Sequence, residues 1–119
     1  MVFERKIRNE AQKECVKVGA HLASIHSEEE MNSVDTLNDE NRRGDICIGG
    51  YREIGEKSFK WADGSPFKYD NWATGRPDNA DGFELCIYIL SEPGEKNHKK
   101  WYDVPCDLIP IGYVCKKDI

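Results

Sequence analysis

Apolar residues recur along this chain at helical spacing in its first third and at strand spacing afterwards. Over residues 9–18, Ala11, Cys15 and Val18 fall on one helical face, and Gly19 is placed to cap the helix. His21-Leu-Ala-Ser-Ile25 alternates and predicts a short strand. Ser27 opens a second helix with Glu30 three residues later, the pattern of a capping box, and Met31 and Val34 continue its apolar face. A polar connection over residues 38–45 ends the helical part. Ile46-Cys-Ile48 then predicts a buried strand, Ser58-Phe-Lys-Trp61 an alternating one that stops at a turn cluster, and Leu85-Cys-Ile-Tyr-Ile-Leu90 a strong one. Trp101-Tyr-Asp-Val104 and Gly112-Tyr-Val-Cys115 complete the strands. Between them, residues 66–83 carry mostly Gly, Pro, Asn and Asp, a loop long enough to suggest function. Two helices followed by strands around a long loop predict an α+β domain.

The 119 residues suit one domain, 1–119, and a hydrophobic fraction of 39 % with three Trp is enough to build a core. A net charge of −5 argues against nucleic acid or an anionic membrane surface as partner. No apolar run is long enough to span a bilayer, so no membrane insertion is expected, and the segment Met1-Val-Phe-Glu-Arg-Lys6 lacks the apolar stretch of a signal peptide. Five cysteines in so short a chain favour disulfides and an oxidising compartment, hence a secreted or extracellular protein. Four of them can pair in three ways, with one left over.

The candidate chemistry lies in the long loop and beside it. Asp78, Glu84 and Asp103 are carboxylates set close to cysteines, the raw material of a calcium site. Arg76 stands two residues before the first of them, where a cation site needs oxygen. The run Glu95-Lys-Asn-His-Lys-Lys100 is the one basic cluster and reads as a solvated turn, with attraction of sulfated or sialylated glycans as the alternative. His21, His26 and His98 lack metal-ligand spacing, and no Ser/His/Asp or Cys/His arrangement stands out, so no catalysis is expected.

Taken together, Ala11-x-x-x-Cys15, His21-Leu-Ala-Ser-Ile25, Ile48-Gly49, Trp61-x-Asp63-Gly64, Asn71-Trp72, Pro77-Asp78, Glu84-x-Cys86, Trp101-x-Asp103, Cys106 and Gly112-Tyr113-x-Cys115 resemble the C-type lectin-like domain across essentially the whole chain. The resemblance implies a C-type lectin-like fold: two helices, small antiparallel sheets, a long irregular loop, and the disulfides Cys15–Cys115 and Cys86–Cys106. In the chain-entropy model such bonds are worth about 4.7 and about 3 kcal/mol. Arg8 departs from the pattern, standing where the family has an aromatic. Cys47 stands where the family's core motif has a tryptophan. It reads as a buried, inert thiol, the alternative being an intermolecular disulfide.

For the loop, the resemblance implies a site in which calcium and a sugar share the same side chains. Asp78, Glu84 and Asp103 match its metal ligands; Arg76 replaces an amide or acid, and Tyr102 replaces an asparagine. Arg52, Asn79 and Leu85 stand where a second calcium site needs acids, leaving Glu56. Pro77 is expected to be cis. At an effective dielectric of about 20, unit charges 4 Å apart interact by roughly 4 kcal/mol, and a divalent ion doubles that. Arg76 therefore opposes calcium and can instead bridge Asp78 and Glu84. The implied function is ligand recognition, of a glycan or a cell-surface or extracellular protein, through Arg76, Asp78, Glu84, Tyr102 and Asp103. Calcium dependence is then weakened or lost. The alternatives are calcium-dependent carbohydrate binding of galactose type, which Pro77-Asp78 resembles and in which Tyr102 or Trp72 stacks on the sugar (although Trp72's place in the family favours a core role), and a structural or protein-interaction domain without sugar binding. An enzyme is not expected.

Overall fold

The computed structural model describes residues 2, 4–36, 44–78, 82–91 and 99–117. Most of the polar connection after the second helix, Asn79, and the basic turn up to and including His98 lie outside them.

The chain runs α1 (Arg8–Lys17), β1 (Ala20–Leu22), α2 (Glu28–Thr36), β2 (Gly44–Tyr51), β3 (Lys60–Trp61), β4 (Cys86–Ser91), β5 (Trp101–Val104), β6 (Gly112–Tyr113) and β7 (Cys115–Lys117). In α1, Ala11 and Cys15 turn inward, and Gly19, at φ +77°, closes the helix by donating to the Val16 carbonyl. Val18 does not share that face. It follows the last helical turn and is exposed, because the capping turn rotates it away. At the start of α2, Ser27 Oγ accepts the Glu30 N–H at 3.1 Å, while the Glu30 carboxylate reaches back to the His26 N–H rather than to that of Ser27. The capping box is thus present, extended by one residue.

Among the described residues one sheet has the order β3-β2-β4-β5, with β6 added parallel to β2, and β1 pairs antiparallel with β7. The strand expected at His21–Ile25 ends at Leu22, since Ala23 donates to Val114 and accepts from Gly49. Strand β2 is longer than Ile46–Ile48. It pairs with β4 up to Cys47↔Tyr88, shifts register, and rejoins at Tyr51↔Cys86. Within the shifted stretch Gly49 donates to Ala23, and Val114 donates to the Cys47 carbonyl. The strand expected over Ser58–Trp61 shrinks to two residues, and the closing strand divides into β6 and β7.

Among the described residues, two apolar clusters fill the interior. One packs Ile46, Ile48, Phe59, Trp61, Ile87 and Trp101 with Met31 of α2; the other packs Ala11, Leu22, Cys47, Tyr88 and Tyr113 around α1. Disulfides Cys15–Cys115 and Cys86–Cys106 are both formed. The first ties α1 to β7, and the second braces the ends of β4 and β5. The long loop is fastened to β5 as well: Trp101 donates to the Asn71 carbonyl, Ala73 to the Trp101 carbonyl, and Asn71 Nδ2 to the Lys99 carbonyl.

Candidate functional site

That fastening sets the position of Arg76. A turn over residues 73–76, with Arg76 N–H on the Ala73 carbonyl and Gly75 at φ +81°, follows the loop's contact with β5. The Arg76–Pro77 peptide is cis. Strand β5 buries Trp101 and Asp103 and leaves Tyr102 and Val104 half-buried, while Glu84 arrives just ahead of β4. Carboxylate oxygens of Asp78, Glu84 and Asp103 come within 4.8 Å of one another, and they are the metal-ligating groups that gather among the described residues.

Arg76 lies among them. Its Nη1 is 3.1 Å from Asp78 Oδ1, 3.1 Å from Glu84 Oε2, 3.4 Å from Asp103 Oδ1 and 3.2 Å from the Asp103 carbonyl. A nitrogen with two hydrogens cannot align on four acceptors, so it acts as a shared charge centre as much as a hydrogen-bond donor. Calcium needs about six to eight oxygens at roughly 2.3–2.6 Å. Here the point where the acids converge is held by a cation of the chain itself, so the residues as arranged do not fit calcium.

Asp103 is the hub. It has 0 % exposure, and each carboxylate oxygen has a partner: Oδ1 accepts from the Asp78 N–H at 3.1 Å besides Arg76, and Oδ2 accepts from Arg52 Nη2 at 2.9 Å. Arg52, noted in the sequence only as a missing acid, was missed as part of the site. Its Nε and Nη2 also donate to the Glu84 carbonyl, and its guanidinium lies 4.5 Å from the Phe59 ring centre. Burial, a hydrogen bond with Asp78 and the charges of Asp103 and Asp78 push the Glu84 carboxyl up to about 7, against the pull of Arg76. Arg76 and Arg52 thus set two guanidinium groups against the three carboxyls of Asp78, Glu84 and Asp103, which offsets their charge without a metal.

Of the remaining candidates, Tyr102 places its ring 5.0 Å from the Arg76 guanidinium. Trp72 packs inward, 5.0 Å from Phe59 and 5.8 Å from Trp101, which makes it core rather than a stacking platform. The sequence showed no Ser/His/Asp arrangement, yet the fold brings one set together: Ser65 Oγ is 2.9 Å from His26 Nε2 and donates to Asp63 Oδ1 at 2.5 Å. The wiring is not that of a nucleophile. The Ser65 proton is committed to Asp63, so the His26 nitrogen donates instead of acting as base.

An α+β domain of this topology, with two such disulfides and a long loop fastened over an acidic cluster, has the architecture of a C-type lectin-like domain. Residues 4–117 match the family model described as the Lectin C-type domain, and the chain belongs to that family. It is 35 % identical over 109 residues to ladderlectin of Oncorhynchus mykiss, covering 89 % of this chain and 55 % of that protein. It is 35 % identical over 115 residues to the human versican core protein, covering 95 % of this chain and 3 % of that protein. The chain therefore spans about half of one relative and a small part of the other. Among solved structures, the mouse scavenger receptor C-type lectin carbohydrate-recognition domain superposes with a TM-score of 0.82 at 28 % identity, over 98 % of this chain and 88 % of that one. A calcium-independent type II antifreeze protein superposes with a TM-score of 0.80 at 27 % identity, over 99 % and 84 %.

Proposed function

We propose that this chain is a single extracellular binding domain that recognises a glycan or a protein through the long loop, without calcium. The observation that carries the reading is the position of Arg76 Nη1, within 3.4 Å of four oxygens of Asp78, Glu84 and Asp103. A guanidinium held there does electrostatically what a cation does in a metal-dependent site. It draws the acids together and fixes the loop for a partner. Tyr102 and the outer edge of Arg76 are the groups placed to meet that partner, of types enriched at binding surfaces. Two disulfides support an oxidising, extracellular setting. The likeness to a calcium-independent antifreeze protein supports the view that this fold holds its loop without the ion.

Calcium-dependent carbohydrate binding of galactose type is the rival reading. One feature favours it: the Arg76 side chain is 30 % exposed, so rotation into solvent would leave three acids facing one another. Calorimetry separates the two. The metal-free reading expects no calcium binding tighter than about 1 mM, the weak end for extracellular modules, and tighter binding overturns it. A glycan array run in calcium and again in chelator then identifies the partner class. Signals unchanged by chelator indicate a metal-free glycan site, signals lost in chelator the galactose-type alternative, and silence in both a protein partner.

A further inference from the structure

We infer that calcium is excluded twice, and that Arg52, the guanidinium behind Asp103, is the second and deeper barrier. The inference rests on the metal-free reading above and extends it to a residue on another strand end. Asp103 offers a metal two oxygens. Oδ2 is taken by Arg52 Nη2 at 2.9 Å, in a pair whose side chains are 5 % and 0 % exposed. The Arg52 side chain is held in that place by its two hydrogen bonds to the Glu84 carbonyl, at 3.2 and 3.0 Å, and by the Phe59 ring. Arg76 can leave by rotating a partly exposed arm; Arg52 has no such exit.

A divalent ion bound to Asp103 Oδ1 would therefore meet a fixed positive charge across the same carboxylate, with little water to screen it. The charge of Asp103 is already committed before any ion arrives. Removing Arg76 alone clears the centre of the cluster but leaves its most buried ligand neutralised. Restoring a cation site requires loss of the positive charge at residue 52 as well.

The experiment is calcium calorimetry on the wild type, Arg76→Glu, and the double variant Arg76→Glu/Arg52→Gln, with thermal melts in calcium and in magnesium. Wild type and Arg76→Glu are expected to bind no tighter than about 1 mM. The double variant is expected to gain about tenfold or more over Arg76→Glu, a change of about 1.4 kcal/mol, and to melt higher in calcium than in magnesium. Arg76→Glu/Arg52→Lys keeps the charge and is expected to stay blind to calcium. Tight binding by Arg76→Glu alone overturns the inference while leaving the metal-free reading of the wild type intact; tight binding by the wild type overturns that reading instead. A folded double variant that remains blind also overturns the inference. Should the glutamine variant fail to fold, Arg52→Met, which retains the packing on Phe59, takes its place in the same comparison.

Discussion

Cys47 lies in the middle of β2 with 0 % exposure, its thiol 3.5 Å from the Ile48 carbonyl. Burial pushes its pKa up to about 12, despite the opposing charge of Arg8. The thiolate is the reactive form, so position and protonation both suppress its chemistry. Folded protein at pH 8 is expected to leave Cys47 unmodified by a thiol-reactive disulfide dye, and denaturant is expected to release one thiol per chain. Rapid labelling of the folded protein, or a dimer on a non-reducing gel that Cys47→Ser abolishes, would overturn the burial reading. Nearby, Arg8, which stands where the family pattern has an aromatic, places its guanidinium 4.6 Å from the Tyr51 ring centre.

At the level of elements, β2 carries the most demanding geometry. A Cβ on Gly49 would lie 2.5 Å from the Leu22 carbonyl oxygen and 2.9 Å from that of Ala23, and both are backbone atoms that cannot step aside. Gly49→Ala is therefore expected to cost about 1–3 kcal/mol or more in urea denaturation, whereas exposed Val18→Ala should stay within about 0.5 kcal/mol. A Gly49→Ala loss as small as that of Val18→Ala would mean the strands can separate there at little cost. The same strand explains what the sequence concealed. Its Ile46-Cys-Ile48 centre was legible, but Gly44, Asp45, Gly49 and Gly50 carry no strand signal, because their pairing is set by close approach of other segments. By contrast α2 announces itself by its cap and the face of Met31 and Val34, and β4 by an unbroken apolar run. In the site, Arg76 and the three acids could be read as a motif with one wrong charge. Arg52 could not, since its meaning depends on an aspartate 51 residues away that only the tertiary fold brings near. The one available hint was a cation standing where the family pattern expects an acid.

The whole molecule is closed by a circuit of polar contacts as well as by Cys15–Cys115. Lys116 of β7 donates to Glu30 Oε2 at 2.7 Å and to Ser24 Oγ at 3.3 Å; Ser24 donates to Asp63 Oδ2 at 2.5 Å. Asp63 accepts from Ser65, Ser65 meets His26, and the His26 N–H returns to Glu30. The start of α2, the end of β1, the turn after β3 and the last strand are thereby joined beside the disulfide. Burial works against ionisation of Asp63, but hydrogen bonds from Ser24 and Ser65 and the nearby charge of His26 outweigh it and hold its carboxyl below the usual range. Glu30 is held low in the same way, burial being overcome by Lys116 and His26. A carboxyl whose folded pKa is depressed contributes its stability above the unfolded value, about 3.9 for Asp and 4.3 for Glu, and loses it as pH falls through the folded value. Urea midpoints are therefore expected to rise from about pH 8 to about 5, where Glu84, raised to about 7 in the folded state, takes up its proton first, and to fall steadily below about 5 as Asp63 and Glu30 are protonated and the circuit opens. Asp63→Asn should cost about 1–3 kcal/mol at pH 7, because an amide presents hydrogens to at least one serine donor, and it should flatten the acid limb between about pH 5 and 3. An Asp63→Asn variant whose midpoint falls as steeply with acid as the wild type's would place the acid sensitivity elsewhere in the molecule.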